Sequence, residues 1–228
     1  MKIEIGESLI ITWLRHVKRC QVVQNNWKIS TKWNNYNVED TKVLWERVAE
    51  VYPRVFVNTT LEKALKQGEL DVLGVAFEDA TNDDALYTDE TFCPIKKKQN
   101  TFKMKVYAVE IANHKDGLNY NKNSAETVMK KMIRAALSMV MYMSLFEGEI
   151  IFVSPKIGDK DLEKINVLLK DIEKVFPKAM YNFKFVVVSG ERFKEEILKP
   201  VIDIAEDIND DNELFLRSVQ LLRDTKMF

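Results

Sequence analysis

The sequence predicts an α/β protein with a mixed central β-sheet flanked by helices. Three observations carry that expectation. Four strand-length apolar runs, Leu70 to Phe77, Thr101 to Ala112, Glu149 to Ser154 and Asn182 to Ser189, are each bounded by polar or turn-forming residues. Segments of helical period separate the last three runs, a pattern that sets parallel neighbours in a sheet, whereas the runs at 70 and 101 can pair antiparallel. The 228 residues include only 7 Gly and 5 Pro, so few breaks are built in and long regular elements are expected. This length suits one α/β domain over 1–228, with its core to about residue 190 and a helical extension over 191–228.

Taken in order, Leu9, Ile10, Trp13, Leu14, Val17 and Cys20 recur at three- and four-residue spacing, which predicts a helix over residues 7–22. Glu7 stands at the inward edge of its first turn, where it either complements the helix dipole or faces a site. The asparagine-rich stretch Gln21 to Asn37 reads as a loop; its Trp27 and Trp33 either stack on bases or, more commonly, anchor the loop to the core. A helix over Val38 to Tyr52 stops before Pro53. Val55 to Val57 reads as a short strand, and Thr60 opens a helix with Gly68 as its C-cap. Leu70 to Phe77 is apolar nearly throughout, as a strand covered on both faces is.

An acidic excursion, Glu78 to Glu90, leads through Lys96, Lys97 and Lys98 to the Thr101 strand. Asn123 and Glu126 fit a capping box, which predicts a helix from Asn123 to Phe146 ended by Gly148. Its second half is apolar nearly all round, so it should be the central buried helix, with Met132, Ala136, Met139, Val140 and Met143 inside. The strand at Glu149 is stopped by Pro155. Asp159 to Phe176 is an amphipathic helix ended by Pro177, and Gly190 turns the last strand into a helical tail broken around Asn209 to Asn212.

A hydrophobic fraction of 46% beside 30% charged residues matches an ordinary globular chain and excludes a disordered one. The net charge of -1 gives bulk electrostatics no pull on nucleic acid or acidic membrane, so any such contact must come from a local patch. Cys20 and Cys93 form no cluster with His16 and His114, which argues against a zinc site. The start of the chain carries no signal pattern. Met132 to Phe146, the most apolar run, contains Arg134 and falls short of the roughly 20 residues that span a bilayer. A soluble protein of the reducing cytoplasm, without a membrane partner, is the expectation.

The chemistry-bearing residues lie on two strands. Alternation puts Glu110, Ala112 and His114 on one face of the Thr101 strand, with Val109 and Ile111 on the other. Asp71 is the one acid within the apolar run Leu70 to Phe77. Two carboxylates on neighbouring strands form a hard oxygen site for a divalent cation. The plainer account is that each acid pairs with one of the 34 basic residues.

Asp71-Val72-Leu73-Gly74, then Glu110-Ile111-Ala112, with Ile5-Gly6-Glu7 at the head of the first helix, resembles the pattern of the PD-(D/E)XK nuclease superfamily. In that superfamily an acid on one strand and an (Asp/Glu)-X-Lys triplet on the next hold Mg²⁺ at the edge of a mixed sheet. The likeness spans about residues 1–155, and it implies a restriction-endonuclease-like core. It further implies hydrolysis of phosphodiester bonds in DNA with Mg²⁺ or Mn²⁺. Asp71 and Glu110 would be direct ligands, the carbonyl of Ile111 a third, and Glu7 a ligand through water.

The chain departs from the pattern at Ala112, where the lysine should stand. His114, on the same face, is the expected substitute, with Lys115 beside it. DNA contact would fall to Lys96, Lys97, Lys98, Lys115, Lys122, Lys130 and Arg134. Two other readings stay open. One is a degenerate member that binds DNA or a protein partner, or dimerises, without cleavage; the other is an unrelated α/β interaction protein whose acids are structural.

Overall fold

The computed structural model describes residues 5–28, 37–66, 69–79, 102–112, 124–205 and 215–219. Five strands, β1 (Val22–Lys28), β2 (Glu69–Asp79), β3 (Phe102–Ile111), β4 (Glu147–Ser154) and β5 (Asn182–Ser189), lie side by side in that order in one sheet. β1, β2 and β3 are antiparallel neighbours, whereas β3, β4 and β5 run parallel. The mixed sheet matches expectation, including the antiparallel pairing of the Asp71 and Glu110 strands.

Helices cover both faces. On one lie α2 (Val38–Val51), α3 (Leu61–Lys66), α4 (Ala125–Met143), α5 (Asp159–Lys170) and α6 (Ile172–Val175); on the other lie α1 (Ile5–Thr12), α7 (Glu191–Phe193) and α8 (Lys199–Ile204). The alternation of β3 divides the core between them. Val106 and Ala108 join Leu44, Met132 and Met139 under α2 and α4. Tyr107, Val109 and Ile111 join Leu9, Trp13, Ile197 and Val201 on the opposite side. Glu110 and Ala112 therefore face α4.

α4 is the buried crossover between β3 and β4. Val128, Met129, Met132, Ile133, Ala136, Leu137, Met139 and Val140 are all buried. Its cap is Ser124, whose Oγ accepts the Thr127 N–H at 3.3 Å, and not the expected Asn123. It also ends earlier than expected, at Met143, because Ser144 turns left-handed (φ 52°) and the Leu145 N–H reverts to the Met139 carbonyl. Met143 is consequently only half-buried. Gly148, expected to end the helix, instead sits inside β4 at φ 149°. A Cβ there would stand 2.9 Å from the Val106 carbonyl oxygen and from Met139 Cε, so β4 can pass under α4 only without a side chain at this point.

The N-terminal third departs most from expectation. The first helix ends as a π-helical turn at Trp13–Val17, and residues 22–28 form strand β1, not loop. Trp27 is buried and so anchors this segment to the core. Gly74 permits the close approach: a Cβ there would meet Cys20 Sγ and Leu14 Cδ1 at 3.1 Å. Val55 to Val57, expected as a strand, is a turn whose Val55 and Phe56 are buried. Thr60 opens α3 as anticipated, its Oγ1 accepting the Lys63 N–H, while Gly68 lies outside the described residues. The expected Asp159 helix breaks at Asp171 into α5 and α6. The C-terminal helical segment continues through a π-helical turn at Lys194–Leu198 into α8. No helix among the described residues is long and apolar enough to cross a membrane.

Replacing Met139, which is fully buried, by Asp should cost about 3 to 5 kcal/mol by leaving a charge unpaired in the core. Urea unfolding measures this, and a midpoint equal to the parent's would refute the placement of α4.

Candidate functional site

β2 and β3 separate at one end. Their ladder runs from Asp79↔Phe102 to Val72↔Val109 and goes no further. Beyond it β2 still pairs with β1 at Leu70↔Trp27 and Glu69↔Lys28, and β3 still pairs with β4 at Glu110↔Phe152 and Ile111↔Val153. Each strand thus follows its outer neighbour, and a fork opens between them. Asp71 and Glu110 are the first residues past the fork.

The freed main chain is satisfied locally, as a buried backbone group must be. Asp71 Oδ2 accepts the Ile111 N–H at 2.6 Å, in place of the ladder bond that the fork removes. Glu110 points toward α4 and is buried. A cavity of about 210 Å³ opens here, lined by Asp71, Glu110, Lys131 and Arg134 together with Glu69, Leu70 and Ala135.

Lys131 fills the fork from above. Its Nζ lies 3.0 Å from Glu110 Oε2, 3.4 Å from Asp71 Oδ2 and 3.2 Å from the Ile111 carbonyl oxygen. These are the three oxygens expected to hold a cation, and in this structure they hold an ammonium. Sequence reasoning did not single out Lys131, although its signal is present: Val128 three residues before it and Ala135 four after are both buried, which puts Lys131 on the inward face of α4.

The electrostatics follow from burial. Loss of solvent pushes the Glu110 carboxyl up to about 8, against the pull of the Lys131 ammonium and with Asp71 adding to the rise. Burial alone would lower Lys131, yet Glu110 and Asp71 outweigh it and its pKa is raised. Burial lowers Arg134, and the charge of Glu110 works against that.

The expected residues are gathered unevenly. Asp71, Glu110 and the Ile111 carbonyl come together as anticipated. Glu7 is buried and accepts a hydrogen bond from Asn26 Nδ2 at 3.2 Å. Asn26 has a left-handed φ of 49° and falls between the pairs Asn25↔Val72 and Trp27↔Leu70, hence across from Asp71. Glu7 does not line the cavity, and among the described residues no three His, Cys, Asp or Glu side chains converge on a metal position. The donor set at the fork is therefore two carboxylates and one carbonyl, all hard oxygens, which suits Mg²⁺ or Mn²⁺ with retained waters. Lys130 and Arg134 lie on α4 at this end. Lys96, Lys97, Lys98, His114, Lys115 and Lys122 lie outside the described residues.

No family model, curated protein or solved structure matches the chain.

A direct consequence concerns pH. The folded-state value of Glu110 exceeds the ordinary 4.5, so between about 4.5 and about 8 the folded protein keeps a proton that the unfolded chain has released. The stability of the metal-free protein should therefore fall relative to Glu110→Gln as pH rises through that window, and level off above it. Denaturant unfolding of both proteins at several pH values tests this. A difference that stays constant with pH would show that Glu110 carries no raised pKa.

Proposed function

We propose that this chain is a nuclease-like hydrolase that cleaves phosphodiester bonds in DNA with Mg²⁺ or Mn²⁺, on a restriction-endonuclease-like core. The observation that supports it most is the meeting of Asp71, Glu110, the Ile111 carbonyl and Lys131 at the fork between β2 and β3. Two acids on adjacent strands and a lysine are the groups that the sequence resemblance calls for, and on this reading Lys131 of α4 would do the work of the lysine absent at position 112.

On this proposal Asp71 and Glu110 hold the divalent cation with the Ile111 carbonyl. When bound, such an ion activates a water and stabilises the leaving oxygen of an in-line displacement. Lys131 gives up part of its contact with the carboxylates and turns its donors to the attacking water and the scissile phosphate. Its ammonium orients the water and offsets the growing negative charge, the work assigned to the lysine of the resembled triplet. Glu110 must release its proton to bind the cation, so metal binding should tighten as pH rises. Glu7, held by Asn26 across from Asp71, supports this end of the sheet from the other face.

One feature favours a second reading. The Lys131 ammonium already contacts all three oxygens, and in a degenerate subunit it would replace the metal permanently while DNA or a protein partner binds elsewhere on the surface.

Plasmid nicking with Mg²⁺ or Mn²⁺ separates the two. An active enzyme should lose activity in Asp71→Ala and Glu110→Ala and fall about 10² to 10⁴-fold in Lys131→Ala, and His114→Ala beside it tests whether the histidine shares that role. Nicking that survives in both acid variants indicates contamination and sinks the hydrolase proposal. No nicking by the parent, together with no calorimetric binding of Mn²⁺, selects the degenerate subunit.

A transfer of the lysine gives a sharper check. Ala112 faces α4 beside Glu110, so Ala112→Lys alone adds a second cation to an occupied site and should destabilise the fold. The double variant Ala112→Lys/Lys131→Ala should recover part of the activity lost in Lys131→Ala. Failure to recover, in a double variant that folds, would show that the lysine works only from the helix.

A further inference from the structure

Three cations run outward from the fork. Arg134 lines the cavity and lies within the field of Glu110. Lys130, one turn earlier on α4, lies with its Nζ 5.8 Å from the centroid of the Phe56 ring. Lys63 stands on α3, which packs against α4, and its side chain is exposed. Burial lowers the pKa of Lys130, and the positive charges of Arg134 and Lys63 lower it further, so both act on the Lys130 ammonium. Like charges at i and i+4 on a helix are unfavourable in the free protein. Such an arrangement is relieved by a polyanion whose charges are spaced along it.

We propose that Lys63, Lys130 and Arg134 form a backbone-phosphate subsite for a DNA strand, leading from the α3–α4 surface into the cavity at the β2–β3 fork. The proposal deepens the hydrolase reading and rests on it for the identity of the strand. Arg134, nearest the carboxylates, takes the phosphate next to the reacting one through its forked donors. Lys130 and Lys63 take phosphates farther out as point charges. Phe56, held edge-on against Trp45 with centroids 5.0 Å apart, fixes the floor under Lys130. With a net charge of -1 over the chain, a concentrated strip of this kind is what would give DNA a preferred track. Lys63 is the new member; the sequence carries no mark of it, because only the packing of α3 on α4 brings it to Lys130.

The test is fluorescence anisotropy of a labelled duplex DNA in EDTA across a salt titration, run beside the nicking assay. Lys63→Gln/Lys130→Gln/Arg134→Gln should weaken binding at least about tenfold and reduce the slope of log affinity against log salt by about 2 to 3, since each phosphate contact releases about one counterion. Lys18→Gln/Lys194→Gln/Lys199→Gln removes the same charge from the opposite face of the sheet and should bind as the parent does. Thermal unfolding of both variants confirms that they are folded.

Equal weakening by the two triple variants, unchanged affinity and slope in the first, or no DNA binding by the parent would each overturn the subsite. Binding that depends on the three cations in a parent that never nicks DNA would uphold the subsite and remove the hydrolase reading. Nicking at the parent's rate by the first triple variant, with binding unchanged, would remove the subsite and leave that reading standing.

Discussion

The structure turns on the fork between β2 and β3 and on the charge placed in it. Two carboxylates past the last rung of an antiparallel ladder sit where water is scarce, and an unpaired charge there would cost several kcal/mol. Asp71 is held by the Ile111 N–H, a main-chain donor that the fork would otherwise leave unmet. Glu110 is held by Lys131. Lys131 reaches the fork only because α4 lies across this face of the sheet, and α4 lies there because its apolar residues are buried against β3, β4 and the helices around it. The parallel join of β3 to β4, the crossover helix and the charged cluster are therefore one arrangement.

The sheet makes the same point. Past the last rung they share, β2 keeps β1 and β3 keeps β4. One rung further, the register of the ladder would set Asp71 opposite Glu110. Asn26, left-handed and across from Asp71, turns its side chain to Glu7. Three acids and the residues that hold them thus shape one end of the molecule.

Much of the fold was legible because it is written in hydrophobic pattern. β5 was expected at Asn182 to Ser189 and stands there; β2 and β3 differ from expectation only at their ends, and α4 is the buried helix. β1 was not legible. An edge strand with one exposed side needs little apolar sequence, and its Gln24, Asn25 and Asn26 look like loop. Val55 and Phe56 misled in the opposite sense, since they are apolar through burial in a turn. At the site, Asp71 and Glu110 could be paired from strand order and alternation. Lys131 could not, because its partners are 60 and 21 positions away in sequence and only the docking of α4 brings them together.

Ala112 and Lys131 approach the fork differently. Ala112 is buried among the side chains under α4. Lys131, by contrast, brings its ammonium from α4 to Glu110, Asp71 and the Ile111 carbonyl. The charge balance then explains how such a site rests and how, on the proposed function, it is loaded. With Glu110 raised to about 8, the resting cluster at neutral pH holds a proton on one carboxyl and an ammonium between both. Together they bring two positive charges to two carboxylates, the charge that a divalent cation would bring. On the proposed function, loading would replace the Glu110 proton by the metal and raise the net charge of the cluster by one, which a substrate phosphate would offset.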